Sequence, residues 1–206
     1  MAEICLTYLN SQHIKALSAD SFDDLPTLTH ENPFLEYCSL YWGAHARKEL
    51  SNFARSLALQ LFKEYDGHIS LAVFADKTWD TRSVDIKDSL WSGLHYASFF
   101  GIVEVVAASI EMRCYDLNER HFRGSTPLSC AAKNGHEEVV KILLGWEEVN
   151  LNKADNFDDT PISDAAQGRH EGVVKILLRR DEVDPEKPNI FHTTPLVIAA
   201  LGGHEE

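Results

Sequence analysis

Apolar residues recur at helical spacing in short segments of this chain, and the second half repeats one such pattern. Residues 126–144 read TPLSCAAKNGHEEVVKILL, and residues 160–178, 34 positions later, read TPISDAAQGRHEGVVKILL. The pattern starts again as TPLVIAALGGHEE at residues 194–206, and a degenerate copy, SGLHYASFFGIVEVVAASI, occupies residues 92–110. A fixed period in the low thirties with a Thr-Pro-Leu opening predicts stacked helix-turn-helix repeats.

The two clearest copies carry signals for the start of a helix. Thr126 and Thr160 stand where a side-chain oxygen can accept a backbone N–H, and Pro127 and Pro161 take the first helical position. A narrow apolar face then lets this first helix pack closely against its neighbours; it consists of Leu128, Ala131 and Ala132. We therefore expect a first helix to begin at each Thr-Pro pair.

A second helix is predicted after a tight turn. Gly135 suits positive φ in this turn, and the helix begins at His136 with acidic residues at its positive end. Its predicted buried residues are Val139, Val140, Ile142 and Leu143 or Leu144. In the next copy Gly168 stands one place earlier, and Arg169 occupies the turn position. We expect the turn to shift by one residue, because positive φ costs a non-glycine residue about 1 kcal/mol.

The last copy stops before its second helix. Without that helix, three apolar residues of the first helix lose their cover, namely Leu196, Ile198 and Ala199. Terminal repeats without a capping unit are the least stable part of a repeat array. We therefore expect this unit to fray.

The repeated segments resemble the ankyrin repeat, whose pattern is T-P-L-H-x-A-A-x-x-G-H-x-x-V-V-x-L-L-L. The resemblance implies an all-α ankyrin repeat solenoid, with hairpin loops between units, preceded by a small helical domain. About four units are expected, at residues 88–121, 122–155, 156–189 and, incomplete, 190–206. It also implies that His95, at the usual His position of the motif, hydrogen-bonds the neighbouring turn.

Residues 1–90 contain no copy of the repeat. Residues 2–19 start with an apolar segment, ICLTYL, whose pattern fits a helix and a strand equally, and continue with Ile14 and Leu17 at helical spacing. Residues 20–31 combine acidic residues with Pro and Thr, which predicts a loop.

Two helices are predicted after this loop. The first starts with Asn32 as its cap and Pro33 at the first helical position, with Glu36 in its first turn. One face of this helix carries Phe34, Tyr37, Cys38, Tyr41 and His45. The second helix ends near Asp66-Gly67 and has on one face Leu50, Phe53, Leu57 and Leu61.

Residues 4–65 resemble part of a larger class of proteins. The segments ICLTYLN and NPFLEYCSLYWGAHARKEL, followed by helices and ankyrin repeats, are similar to the region between the nucleotide-binding NACHT module and the ankyrin array of fungal STAND (NLR-like) proteins. The chain has no GxxxxGK[ST] phosphate loop, so the NTPase module is absent from it. The polar residues 76–90 mark the boundary between the two predicted domains, residues 1–80 and residues 84–206.

Composition narrows the class of partner. The hydrophobic share of 44% and the charged share of 25% are those of an ordinary globular protein. The net charge of −13 disfavours nucleic acid, and no apolar run is long enough to cross a membrane. The four cysteines show no metal-binding spacing and are interpreted as small buried hydrophobes in a reducing compartment, so a cytoplasmic or nuclear location is expected.

No catalytic chemistry is indicated. His-Glu pairs at positions 136, 170 and 204 recur with the repeat and none extends to HExxH, so we interpret them as structural. Cys130 and His136 lie in one repeat but lack a third residue to orient a base. We expect a protein that is not an enzyme and that has no cofactor or metal.

The candidate site lies just before each Thr-Pro pair, where the resemblance implies a projecting loop beside a concave surface. Large aromatic side chains on such loops are costly to leave in water and are common interface anchors. The alternative is that the rings fold back and stabilise the stack. The predicted partner-binding residues are Phe122, Arg123, Ser125, Lys133, Asn134, Asn156, Phe157, Asp159, Gln167, Ile190, Phe191 and Thr193.

We interpret the chain as a non-catalytic scaffold that binds a protein partner through this surface. The alternative is a fragment of a fungal NACHT-ankyrin signalling NTPase involved in nonself recognition, with its NTPase module missing. A beginning inside an apolar segment and an end inside a repeat favour the fragment. Both hypotheses make binding the activity of this chain.

Overall fold

The computed structural model describes residues 1–17, 22–47, 50–63, 68–78, 91–113 and 115–201. Every regular element in these ranges is helical. The chain divides into two compact units, Met1–Gly93 and Leu94–Glu206. Most of the boundary predicted at residues 76–90 lies outside the described residues, and its first three residues belong to a helix.

The first unit is a small helical domain. Its described α-helices are α1 (Ala2–Leu9), α2 (Gln12–Lys15), α3 (Leu25–Glu31), α4 (Pro33–Ala46), α5 (Asn52–Lys63) and α6 (Ile69–Thr78), with a 3-10 helix at Phe22–Asp24. Helix α1 packs against α4 and α5, and α4 packs against α6. The core between them is apolar and includes the fully buried Leu6, Leu9, Leu35, Trp42, Ala58 and Val73. The apolar segment ICLTYL is therefore helical.

Two sequence predictions about this unit are wrong, and one helix is missed. Residues 20–31 are predicted to form a loop, but α3 occupies the end of that range, with Pro26 near its start. Asn32 precedes α4 as predicted, yet its side chain does not cap the helix. Its amide donates to the Leu28 carbonyl at 3.0 Å, and its oxygen accepts from His13 at 2.9 Å, because these neighbours compete for the side chain. Helix α6 is not predicted at all.

The predicted aromatic face of α4 forms, but it is not the face that this helix buries. Phe34 and Tyr41 are exposed, and the ring of Tyr37 lies between theirs, with centroids 5.6 Å from Phe34 and 5.1 Å from Tyr41. The buried face is instead formed by Leu35, Cys38, Ser39, Trp42, Gly43 and Ala46. Apolar residues surround this helix almost completely, so their spacing alone does not select the face that packs on α1 and α6.

The predicted apolar face of α5 is likewise not the face that this helix buries. Phe53 is exposed and Leu57 is half-buried, while the buried face consists of Ala54, Ala58, Leu61 and Phe62. Small residues let α1 approach closely, which places the larger Phe53 outside. The end predicted near Asp66-Gly67 lies outside the described residues.

The second unit is built of paired helices. They are α7 (Gly93–Phe100), α8 (Val103–Glu111), α9 (Pro127–Lys133), α10 (Glu137–Leu144), α11 (Pro161–Gln167), α12 (Glu171–Leu177) and α13 (Pro195–Leu201). Helices α9, α11 and α13 pack in one row, and α8, α10 and α12 pack in a second row. Contacts of α9 with α10 and of α11 with α12 join the rows. The result is a two-layer stack.

The helix starts follow the sequence signals closely. The Thr126 hydroxyl accepts from the Ser129 N–H at 3.2 Å, whereas Thr160 bonds the Ser163 hydroxyl at 3.2 Å and does not cap its helix. The predicted narrow face of α9 is buried, namely Leu128, Ala131 and Ala132. In α10, Ile142 is only half-buried, and the buried residues are Val139, Val140, Leu143 and Leu144.

The prediction of a shifted turn after α11 is wrong. Arg169 has a φ of 59°, while Gly168 ends the helix at −74°. The turn keeps the bonds of the previous repeat, since His170 N–H donates to the Ala165 carbonyl at 2.9 Å. A Cβ at Gly168 would lie 2.6 Å from the Lys133 carbonyl oxygen. Glycine is therefore needed there for close approach, and Arg169 accepts the left-handed conformation.

Helix α13 is formed, with Leu196 exposed and Ile198 and Ala199 half-buried. Its predicted fraying concerns motion, so it stays a prediction. Cys5, Cys38 and Cys130 are free and buried, as the sequence predicts, while Cys114 lies outside the described residues.

Candidate partner-binding surface

Three loops precede the Thr-Pro pairs and close in the same way. The N–H of the first loop residue donates to the carbonyl four positions later, from Asp155 to Asp159 at 2.9 Å and from Asn189 to Thr193 at 3.1 Å. In the first loop, the N–H of His121 donates to the Ser125 carbonyl at 3.2 Å. The fourth of the five residues has positive φ in each loop, namely Gly124, Asp158 and His192.

The first side chain of each loop holds the loop backbone in place. One carboxylate oxygen of Asp155 accepts from the N–H groups of Phe157 at 2.8 Å and Asp159 at 3.0 Å. The side-chain oxygen of Asn189 accepts the same pair of bonds, from the N–H groups of Phe191 at 3.0 Å and Thr193 at 3.1 Å. The aromatic residues at the loop tips therefore stand on a fixed backbone.

Neighbouring loops are bonded to one another. The N–H of Asn156 donates to the Arg123 carbonyl at 3.0 Å, and its amide donates to the Phe122 carbonyl at 2.9 Å. One loop further, the N–H of Ile190 donates to the Phe157 carbonyl at 2.9 Å. The loops thus form one continuous edge, which we call the loop edge (residues 121–125, 155–159 and 189–193). Asn156, a predicted partner-binding residue, is engaged in holding this edge together.

The large side chains of the loop edge differ in exposure. Phe122 is half-buried, and its ring centroid lies 5.4 Å from that of His121. Phe157 is 42% exposed, Ile190 48% and Phe191 69%. The first ring is thus folded back on its loop, while the second and third loops present apolar side chains outward.

The polar candidates occupy several environments. Lys133 and Gln167 end α9 and α11 and are exposed. Asn134 donates to the Cys130 carbonyl at 2.9 Å, so its amide closes the helix end. Among the remaining predicted residues, Arg123, Ser125, Asp159 and Thr193 are half-buried on the loop edge.

Two buried histidines support the first loop. The ring of His95 donates to the Glu119 carbonyl at 3.1 Å, as the sequence resemblance implies, and lies 5.7 Å from the ring of His121. The Nδ1 atom of His121 accepts from the Arg123 N–H at 3.0 Å, so this nitrogen carries no proton. Burial lowers the pKa of His95 to about 4 and that of His121 to about 2. Both rings are therefore neutral at pH 7.

Histidines after the turns join consecutive repeats. His136 donates to the Phe99 carbonyl at 2.7 Å, and His170 donates to the Lys133 carbonyl at 3.0 Å. Both bonds reach the end of the first helix of the preceding repeat. The structural interpretation is thus supported for the pairs at 136 and 170, while the pair at 204 lies outside the described residues. The described residues contain no cluster of three or more His, Cys, Asp or Glu suited to a metal ion.

One important residue beside the loop edge is missed by the sequence analysis. Asp164 on α11 has only 1% of its side chain exposed, and Lys133 Nζ lies 3.4 Å from its Oδ1 atom. Burial raises the pKa of Asp164 to about 7, although Lys133 acts in the opposite direction. The available signal is the repeat itself, because Cys130 and Ile198 occupy the equivalent positions.

One comparison with known proteins identifies the repeated segment. The family model of ankyrin repeats matches residues 94–189 in three copies. A search of curated proteins finds no significant match. None of the helices in the described ranges has the length and apolarity needed to cross a membrane. The family match does not reach residues 4–65, so their similarity to NACHT-associated regions stays a prediction.

Ankyrin repeats are generally protein-interaction modules, and proteins built from them are typically non-catalytic. The matched segment, the row of first helices and the row of second helices all fall within the second unit. Residues 94–189 of this chain are therefore three ankyrin repeats in an all-α solenoid.

Proposed function

We propose that the second unit binds a protein partner through the loop edge and the adjacent ends of the first helices. The observation that carries the proposal is the outward exposure of Phe157, Ile190 and Phe191, at 42%, 48% and 69%, on loops whose backbones are hydrogen-bonded. A monomer gains nothing by holding two phenyl rings and an isoleucine in water. A partner that covers them removes this apolar surface from solvent.

The rigidity of the loop edge favours binding. Asp155 and Asn189 fix the backbone on both sides of the exposed rings, and the bond from Ile190 to Phe157 fixes the loops relative to each other. A surface that is ordered before binding loses little conformational entropy when the partner arrives. Aromatic side chains add large contact area at the cost of two torsions each.

The polar surroundings fit the rim of an interface. Arg123 and Asp159 lie half-buried on the loops, and Lys133 and Gln167 are exposed beside them. Interface rims are polar and stay accessible to solvent, while the buried centre is aromatic or aliphatic. The second and third loops supply the centre in this arrangement, and the helix ends supply the rim.

The first experiment identifies the partner through contact with the surface itself. A photo-crosslinking amino acid is placed at Phe191 of the full chain, and in a matched control at Glu138, which is exposed on α10. Both tagged chains are expressed in the source organism and irradiated. We expect a protein that crosslinks through position 191 and not through position 138. Equal labelling from both positions would contradict the proposal.

The second experiment measures affinity for the crosslinked protein. The double variant Phe157→Ala/Phe191→Ala removes both exposed rings, and we expect at least about a tenfold loss of affinity because interface aromatics dominate binding energy. Circular dichroism should show unchanged helix content. Lys175→Ala, on the exposed side of α12, is the control and should bind as the unsubstituted chain does. Equal affinity of the double variant would exclude the loop edge.

A further inference from the structure

A carboxylate in the row of first helices is buried without a full set of donors. Lys133 Nζ lies 3.4 Å from Oδ1 of Asp164, while Oδ2 has no hydrogen-bond partner within the described residues. A charge taken out of water is stabilised only if its pairing and hydrogen bonding are nearly complete. The carboxylate of Asp164 is therefore paired at one oxygen and lacks a donor at the other.

The solenoid does not require a carboxylate at this position. Cys130 on α9 and Ile198 on α13 are the equivalents of Asp164 in the neighbouring repeats, and both are apolar. Cys130 is also buried, so the position accepts an uncharged side chain of similar size. A residue that breaks the local pattern at a cost in stability is expected where a protein has a function to serve.

The charge around Asp164 is not balanced. Asp155 and Asp159, on the loop before α11, both raise its pKa, and Lys133 is the cation that lowers it. The side chain of Lys133 is 52% exposed, so its ammonium group lies at the surface and can swing away on a flexible stem. The buried carboxylate of Asp164 is therefore covered by one movable cation, Lys133, and has acidic neighbours on the loop before α11.

We propose that the protein partner inserts a lysine or arginine side chain between the ends of α9 and α11, where it pairs with Asp164. This inference rests on the proposed function and specifies one chemical feature of the partner. The incoming cation supplies the donor that Oδ2 lacks, while Lys133 moves outward into solvent. The apolar loop edge gives affinity, and Asp164 selects partners with a basic residue at the matching place.

The test uses peptides in place of the unidentified partner. Random linear peptides displayed on phage are selected on the immobilised full chain, and enriched peptides are synthesised for fluorescence anisotropy. We expect the enriched sequences to share one basic position. Replacing that residue by norleucine for lysine, or citrulline for arginine, should weaken binding to the unsubstituted chain by at least about tenfold.

A double-mutant cycle then links this peptide residue to Asp164. The neutral and basic peptides should bind the Asp164→Asn variant with affinities within about twofold of each other, because this variant lacks the carboxylate that pairs with the basic residue. Asp181→Asn, an exposed carboxylate after α12, is the control for net charge and should keep the full difference. If Asp164→Asn unfolds, Asp164→Ile copies the residue of the next repeat.

The outcomes separate this inference from the proposed function. Additive effects in the cycle, or enriched peptides without a basic position, overturn the role of Asp164. The loop-edge proposal survives that result if Phe157→Ala/Phe191→Ala still weakens the same peptides. Peptides that bind the double variant and Asp164→Asn as tightly as the unsubstituted chain contradict both.

Discussion

The Nε2 atom of His170 lies 3.0 Å from the carbonyl oxygen of Lys133, and this bond joins the third matched repeat to the end of α9, the first helix of the preceding repeat. The same bond joins His136 to Phe99 at 2.7 Å. A carbonyl at a helix end has no partner within its own helix. Each histidine therefore satisfies an acceptor that the preceding repeat leaves open.

Removing this bond should weaken the stack. We expect His170→Ala to lower the free energy of unfolding by about 1 kcal/mol, the usual net value of one hydrogen bond. Urea denaturation followed by circular dichroism measures the change. Lys175→Ala, which removes only an exposed ion pair with Glu171, should change stability by less than about 0.5 kcal/mol. Equal effects of the two substitutions would show that the bond contributes nothing.

The left-handed conformation of Arg169 leads to a second prediction. Arg169→Gly should raise the free energy of unfolding by up to about 1 kcal/mol, because glycine takes a φ of 59° without steric cost. Arg169→Ala keeps the Cβ atom and should gain nothing. A glycine variant that is no more stable than the alanine variant would mean that the turn carries no strain.

The two buried histidines predict loss of stability in mild acid. The pKa of His95 falls from an ordinary 6.5 to about 4, and that of His121 falls further, so the unfolded chain binds protons at higher pH than the folded chain. The contribution of these two histidines to stability is therefore full above pH 6.5 and decreases as the pH falls towards 4.

The matched variant for this effect copies another repeat. Asn189 stands where His121 does and makes the same kind of bond to its loop, so His121→Asn should keep the fold and reduce the pH dependence, of which His95 still carries a part. Thermal unfolding between pH 7 and pH 4.5 measures the slope. An unchanged slope would assign the acid sensitivity to other groups.

The burial of Asp164 predicts a pH dependence of stability opposite to that of the two histidines. Its pKa rises from 3.8 to about 7, so the folded chain holds a proton that the unfolded chain has released, and stability falls as the pH rises through this interval. Asp164→Asn should therefore stabilise the second unit at pH 8 by on the order of 1 kcal/mol and have little effect near pH 4. Asp181→Asn is the control. Destabilisation at pH 8 would mean that the pair with Lys133 outweighs burial.

The aromatic rings of the loop edge should differ in their effect on stability. Phe122 is half-buried against His121, so Phe122→Ala should lower the free energy of unfolding by about 1 kcal/mol or more. Phe191 is 69% exposed, and Phe191→Ala should change it by less than about 0.5 kcal/mol. Equal losses would indicate that both rings serve the stack.

The sequence predicts the repeat well because its signals are local and repeated. Thr126 and Pro127 mark a helix start through the backbone of one turn, and α9 begins there. Gly135 marks a turn with positive φ, which the structure contains at 72°. The aromatic positions of the loop edge follow from the same register. Such features depend on neighbours within a few residues, and the period shows them several times.

Other features were decided by packing between distant segments. Trp42 faces the core and Tyr41 faces solvent because of how α1 and α6 meet α4, which the spacing of apolar residues does not specify. Arg169 takes positive φ because the approach of His170 to Lys133 holds the turn in place. The sequence shows that Asp164 departs from the uncharged residues at the equivalent positions, but its burial follows from the packing of α11 on α9.

The sequence by itself thus determined the repeat, its helices and the place of the loop edge. Only the tertiary structure decided which rings point outward and that Asp164 is buried. The physical reason is that exposure and burial belong to pairs of segments in contact. Local pattern limits the partners a segment can have, and packing selects one arrangement among them.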